Sequence, residues 1–121
     1  TLLKEQNAPY SLIYFSDHGL SHTHKEDKKE VDLDFGDKYK QNFDVPFVKI
    51  SSDDKVREVV NLKRSAFNFI YGFSQWIGVE TKELNPHYNF FSNKDDEEIK
   101  VFNFEENIPY DTLKDDNIPT F

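Results

Sequence analysis

The stretch LIYFSDHG, Leu12 to Gly19, joins an apolar run to a group of polar residues. Its first half is aromatic and β-branched without alternation, which predicts a strand, Tyr10 to Phe15, buried on both faces of a parallel sheet. Asp17, His18 and Gly19 follow this strand directly. Because open α/β sheets place ligands and catalytic groups at the carboxyl ends of their strands, we expect these residues to lie in a functional crevice.

The flanking sequence predicts the other elements of an α/β fold. Apolar residues at three- and four-residue spacing indicate a helix, while Ser21 to Asp44 shows no sustained period and is predicted to be a long loop. In chain order we expect a helix end at residues 1–6, the first strand, the loop, a second strand at 45–52, a helix from an N-cap at Asn61 to about Val79, and a short strand at 100–104. The whole chain, 1–121, is divided into an α/β portion, 1–105, and an acidic tail, 106–121.

Composition limits the class of protein. A chain of 121 residues suits one small domain or a piece of a larger one, and the absence of Met leads us to expect a natural start upstream of Thr1. The formal net charge of -8 argues against nucleic acid, which requires a basic surface. No apolar run in the sequence approaches the length of a membrane span. The lack of Cys excludes disulfides and thiolate metal sites.

Chemistry, if present, centres on Asp17 and His18. A carboxylate oxygen and an imidazole nitrogen are zinc ligands, and an H-x-H pair on an extended segment, His22 and His24, points both rings the same way. The alternatives are plain: Asp-His-Gly after a strand is a common turn, and histidines in a charged segment are commonly solvated. From the residues alone, a metal site and a simple turn both stay open.

Three segments resemble a known family when read in order between Tyr10 and Leu84: YFSDHG, GDKYKQNFDVPFVKISSD and SQWIGVETKEL. They are similar to the C-terminal part of the sulfatase-like phosphoethanolamine transferases of Gram-negative bacteria, members of the alkaline phosphatase superfamily. The resemblance implies an alkaline phosphatase/sulfatase-like sheet flanked by helices, incomplete as a domain. It also implies that Asp17 and His18 are zinc ligands.

One position departs from the family pattern. Family members usually carry another zinc-ligating His in an H-G pair before the V-P strand, and here the pair in that place is Phe35-Gly36. Phenylalanine cannot coordinate a metal. Either His22 or His24 substitutes, or the alignment differs at this point, or the protein has lost a ligand.

The resemblance further implies a zinc-dependent enzyme that moves phosphoethanolamine from phosphatidylethanolamine to lipid A or core sugars of lipopolysaccharide. Such enzymes lie in the inner membrane with a periplasmic catalytic domain, which implies a membrane anchor upstream of Thr1. Their nucleophilic threonine and remaining acidic zinc ligands lie upstream of the segment seen here, so this chain alone is expected to be inactive and to hold zinc weakly or not at all. A separate alternative is that the segment folds alone as a small α/β unit, whose exposed sheet edges would promote self-association.

Two alternatives belong to other classes. The first is a sulfatase-type ester hydrolase of the same superfamily, whose nucleophile is a modified Cys or Ser. The second is a degenerate, non-enzymatic paralogue that acts in binding, in which Phe35 marks a dead metal site.

Overall fold

The computed structural model describes residues 2–5, 7–25, 30–80, 82, 84 and 88–117. In chain order, their helices and strands are α1 Leu2–Glu5, β1 Ser11–Phe15, β2 Ser21–Lys25, β3 Glu30–Asp34, β4 Phe47–Ser51, α2 Phe69–Trp76, β5 Lys100–Phe102 and β6 Asn107–Pro109. Three short 3-10 turns lie at Lys40–Asn42, Ala66–Asn68 and Tyr110–Thr112. The chain divides into a first unit, residues 1–59 with 115–121, and a second unit, residues 60–114. Among the described residues, no helix is long and apolar enough to cross a membrane.

Strands β1 and β4 of the first unit pair in an antiparallel register that runs from Ser11 opposite Ser51 to Phe15 opposite Phe47. Both strands were predicted, but the parallel sheet and the burial of β1 on both faces were wrong for the described residues. Ile13 in the middle of β1 is half-buried, whereas its neighbours Leu12 and Tyr14 are exposed. An unbroken apolar run shows that a strand can be buried, yet it does not specify the direction of the partner strand or what covers its faces.

The predicted loop at 21–44 was also wrong, because β2 and β3 form an antiparallel hairpin in this region. Its register places Ser21 opposite Asp34 and His22 opposite Leu33. Val31 and Leu33 in β3, and Phe35 directly after it, alternate with aspartates, which is the period-2 pattern of a strand with one polar face. The high charge of the segment concealed this short alternation.

Helix α2 is shorter than the predicted helix, and Asn61 does not cap it. A 3-10 turn at Ala66–Asn68 precedes the helix, and the backbone of Ser65 is still extended. Ser65 donates hydrogen bonds from its N–H to Asp96 Oδ2 at 2.8 Å and from its Oγ to the Lys100 carbonyl at 2.9 Å. These bonds from a distant segment keep the chain extended there, which helical periodicity cannot reveal.

Aromatic rings form the packed centre of the second unit, as the spacing along the predicted helix indicated. Phe69 lies edge-on to Phe90 with ring centroids 5.5 Å apart, and Trp76 lies 6.1 Å from Phe91. A Cβ on Gly72 would lie 2.8 Å from Phe90 Cβ, so the glycine allows α2 to approach the 90–91 segment. Phe69, Phe73 and Trp76 are half-buried in this cluster. Ile70 and Ile77, which share the same apolar spacing, are 54% and 50% exposed, so the prediction of a core face is only partly confirmed.

Strands β5 and β6 close the second unit and pair antiparallel, with Lys100 opposite Pro109 and Phe102 opposite Asn107. Tyr110, directly after β6, is buried. The predicted division between residues 105 and 106 lies between these paired strands. That division stays a prediction, and residues 118–121 of the expected tail lie outside the described residues.

Candidate metal centre

The residues after β1 form a tight turn that presents two possible ligands to solvent. Ser16 Oγ donates a hydrogen bond to the His18 carbonyl at 2.8 Å, and the His18 N–H donates to Asp17 Oδ1 at 3.1 Å. The Asp17 side chain is 90% exposed and the His18 side chain 41% exposed. Both groups are therefore accessible to an ion or a substrate.

Hydrogen bonding determines which imidazole nitrogen of His18 is available. Nδ1 lies 2.9 Å from the Gly19 carbonyl oxygen, which can only accept, so Nδ1 carries a proton. In the neutral ring the lone pair is then on Nε2, and this nitrogen lies 3.9 Å from Asp17 Oδ1. A carbonyl bonded to the other ring nitrogen is the arrangement found behind metal-ligating histidines.

The separation of the two donor atoms suits zinc. Zinc bonds of about 2.0 Å with tetrahedral angles bring two ligand atoms to roughly 3.3 Å from each other. Asp17 Oδ1 lies 3.9 Å from His18 Nε2, which is about 0.6 Å more than that spacing. Asp17 and His18 fit part of a zinc coordination shell.

Gly19 fixes the turn against the chain that follows the hairpin. Its N–H donates to the Asn42 carbonyl oxygen at 2.7 Å. A Cβ at this position would overlap the Gln41 carbonyl oxygen and lie 2.9 Å from that of Asp44. This close backbone approach excludes a side chain. The glycine of the DHG triplet therefore allows the turn to pack against the backbone of residues 41–44, in addition to allowing the chain to change direction.

Phe35 lies beside the candidate ligands. Its ring centroid is 4.7 Å from that of His18, with the planes tilted by 57°. Position 35 is the place in which the family resemblance puts a further zinc-ligating His, and that alignment stays a prediction. The phenyl ring supplies a packing surface for the imidazole but no donor atom.

His22 has a different partner. Its Nδ1 lies 2.8 Å from Asp116 Oδ2, and its backbone N–H donates to the same oxygen at 2.6 Å. Within the part of the chain that the structure describes, no group of three or more His, Cys, Asp or Glu side chains is placed to hold a metal. The backbone of His24 lies in β2, and its side chain lies outside the description. Ligation by these residues stays a prediction.

Two residues with clear structural roles were absent from the sequence-based candidates. Asp116 is 94 positions from His22, and no local pattern indicates that pairing. Asn42 is the most deeply buried of the described residues in the first unit, at 1% exposure, yet it lies in a polar segment, YKQNFD, without any periodicity. Only the assembled turn and hairpin show what these side chains contact.

A known protein family matches the part of the chain that contains the DHG turn and the elements around it. The family model described as "Sulfatase" matches residues 1–79, which is more than half of the chain and includes β1, the DHG turn, the hairpin, β4 and α2. The chain belongs to the sulfatase family.

A similar protein of known name indicates a group within the sulfatase family. The chain is 46% identical over 116 residues to the phosphoethanolamine transferase OpgE of Escherichia coli (strain K12). The match covers 94% of the chain and 22% of the relative, so the chain spans about a fifth of the length of that protein. No solved structure matches this chain. The resemblance to sulfatase-like phosphoethanolamine transferases, expected from the three sequence segments, is confirmed.

Proposed function

We propose that the complete protein carrying this chain is a zinc-dependent phosphoethanolamine transferase, and that Asp17 and His18 are two of its zinc ligands. The observation that supports this most is the paired presentation of Asp17 Oδ1 and His18 Nε2, 3.9 Å apart on an exposed turn at the end of β1. Membership of the sulfatase family and the 46% identity to a phosphoethanolamine transferase give the class of reaction.

Zinc, when bound, would stabilise the negative charge that develops on the transferred phosphoryl oxygens. The roles of this chain's residues follow from their geometry. Asp17 offers a carboxylate oxygen, His18 offers Nε2, and the Gly19 carbonyl holds the proton on Nδ1. The other ligands and the nucleophilic hydroxyl would come from outside residues 1–121, for which reason the chain alone is expected to be inactive and to bind zinc weakly.

The donor in this proposal is phosphatidylethanolamine, and the acceptor is a sugar hydroxyl of lipid A or of the lipopolysaccharide core. Both partners place the reaction at the inner membrane, with the catalytic domain in the periplasm. The exposed β1 and β4 strands would belong to the larger alkaline phosphatase/sulfatase-like sheet of the complete domain. Separated from that sheet, they would favour self-association.

The test measures zinc content and transfer on the complete protein, comparing wild type with His18→Ala and Asp17→Ala. The carboxylate control is Glu98→Ala, which removes an exposed acid of the second unit. We expect both site variants to lose zinc and to lower the transfer rate by about 100-fold or more, since even residues behind metal ligands are worth 10- to 100-fold. Glu98→Ala should retain both.

The acceptor is tested by supplying phosphatidylethanolamine with lipopolysaccharide in one arm and a soluble envelope glucan in the other. Transfer to lipopolysaccharide supports the proposed acceptor, whereas transfer to the glucan alone replaces it. Hydrolysis of an ester without transfer would indicate the sulfatase-type hydrolase. A zinc-free, inactive wild type would indicate the degenerate paralogue and overturn the proposal.

A further inference from the structure

We propose that Asn42 is the positioning residue that fixes the His18 imidazole in its orientation and tautomer. The inference rests on the proposed function for its consequence, namely that His18 presents Nε2 to zinc. Its structural basis is a continuous set of hydrogen bonds from the interior of the first unit to the exposed ring.

Asn42 is buried and its polar groups are occupied. The side-chain Oδ1 accepts from the Tyr39 N–H at 3.2 Å. The side-chain Nδ2 donates to Ser21 Oγ at 3.0 Å and to the Asp34 carbonyl at 3.4 Å. Because an amide both donates and accepts here at 1% exposure, few other side chains can fill the position without an unsatisfied group.

These contacts join the two ends of the hairpin. Ser21 begins β2 two residues after Gly19, and Asp34 ends β3 directly before Phe35. One buried amide therefore links the segment that carries His18 to the segment that carries the ring packed against it. Loss of the amide would loosen both sides of the imidazole together.

The path then runs through the backbone. The Asn42 carbonyl accepts from the Gly19 N–H at 2.7 Å, which fixes the Gly19 peptide. The Gly19 carbonyl in turn lies 2.9 Å from His18 Nδ1 and holds its proton. Burial of Asn42 thus sets the position of Gly19, and Gly19 sets the free nitrogen of His18.

The experiment uses the complete protein with 15N-labelled histidine. Asn42→Asp keeps the shape but replaces the Nδ2 donor that faces the Asp34 carbonyl. Ser21→Ala removes only the partner of that donor, and serves if Asn42→Asp fails to fold. The matched control is Gly36→Ala, whose added Cβ would meet Asn42 at an ordinary 3.7 Å.

We expect Asn42→Asp to lower zinc affinity by about 10- to 100-fold, with Ser21→Ala intermediate and Gly36→Ala within about twofold of wild type. In the metal-free protein, the 15N shifts of the His18 ring should move from one dominant tautomer toward a mixture. A purely structural role for Asn42 would lower the thermal midpoint and leave the ring shifts unchanged.

The outcomes separate this inference from the proposed function. If wild type binds no zinc but Asn42→Asp still changes the His18 tautomer, the proposed function fails and the positioning role stands. If wild type binds zinc through Asp17 and His18 while Asn42→Asp alters neither affinity nor ring shifts, the positioning role is overturned. An equal loss in Gly36→Ala would also overturn it, because the effect would then belong to any change near the turn.

Discussion

Asp116 and His22 are joined by one carboxylate oxygen that accepts two hydrogen bonds, from the His22 backbone N–H at 2.6 Å and from Nδ1 at 2.8 Å. The Asp116 side chain is 6% exposed, and its backbone N–H donates to Gln41 Oε1 at 2.8 Å. This contact ties the segment around residue 116 to β2 and to the turn before β4. It stabilises the hairpin next to the candidate metal ligands.

Replacing Asp116 with Ala should therefore open β2 locally. The variant leaves the His22 N–H without its partner, and we expect the free energy of local opening to fall by about 2 kcal/mol, as for loss of hydrogen bonds to a charged group. Amide hydrogen exchange of β2 in the complete protein measures it. The control is Asp115→Ala, since Asp115 is 67% exposed and its pair with Lys40 at 3.6 Å should contribute less than about 1 kcal/mol. Equal exchange in the two variants would show that the contact does not stabilise β2.

Gly19→Ala should disrupt the DHG turn more than any change of charge. The added Cβ would overlap the Gln41 carbonyl oxygen and crowd that of Asp44, so the backbone must move. We expect destabilisation of at least about 2 kcal/mol together with loss of zinc from the complete protein. Thermal unfolding and metal analysis of Gly19→Ala and Gly36→Ala provide the comparison. A Gly19→Ala protein with wild-type zinc content would contradict the close backbone approach.

Local patterns predicted the parts of the fold that local forces determine. The positions of β1 and β4, the aromatic cluster of α2 and its end near Gly78 follow from apolar runs, spacing and a glycine at positive φ, whereas Ile70 on the same spacing is exposed. The direction of the β1–β4 pairing, by contrast, depends on a partner more than 30 residues away. The start of α2 depends on Asp96 and Lys100, which lie beyond any helical window.

Some features of the candidate site could likewise be predicted from local sequence, and others could not. Asp17, His18 and Gly19 could be named as candidates because they directly follow a predicted strand, and zinc ligation by Asp17 and His18 stays a prediction. The proximity of Phe35 to His18 could be expected only from the family alignment, and the burial and contacts of Asn42 could not be expected at all. A buried amide in a polar loop leaves no periodic signal, since its importance comes from the backbone groups that it satisfies.

The delayed start of α2 can be tested at Asp96. Its Oδ2 accepts from the Ser65 N–H at 2.8 Å and from Asn68 Nδ2 at 2.9 Å, so one carboxylate holds the extended segment and the 3-10 turn. Asp96→Ala should raise amide exchange at Ser65 and Asn68 by about 10-fold, equivalent to about 1.4 kcal/mol. The neighbouring acid provides the control, Asp95→Ala. If exchange rises equally in both variants, general charge and not this contact governs the segment.

Phe35→His tests whether position 35 is a ligand position. The Phe35 ring lies 4.7 Å from the His18 ring, so an imidazole in its place would bring a third donor next to Asp17 and His18. Zinc prefers four ligands, and we expect the affinity of the complete protein to rise by about 10-fold or more. The packing control is Phe35→Leu, which keeps an apolar side chain without a donor and should bind no more zinc than wild type. Zinc affinity is measured by competition with a chromophoric chelator. An unchanged affinity for Phe35→His would mean that residue 35 orients His18 by contact alone and lies outside the coordination shell.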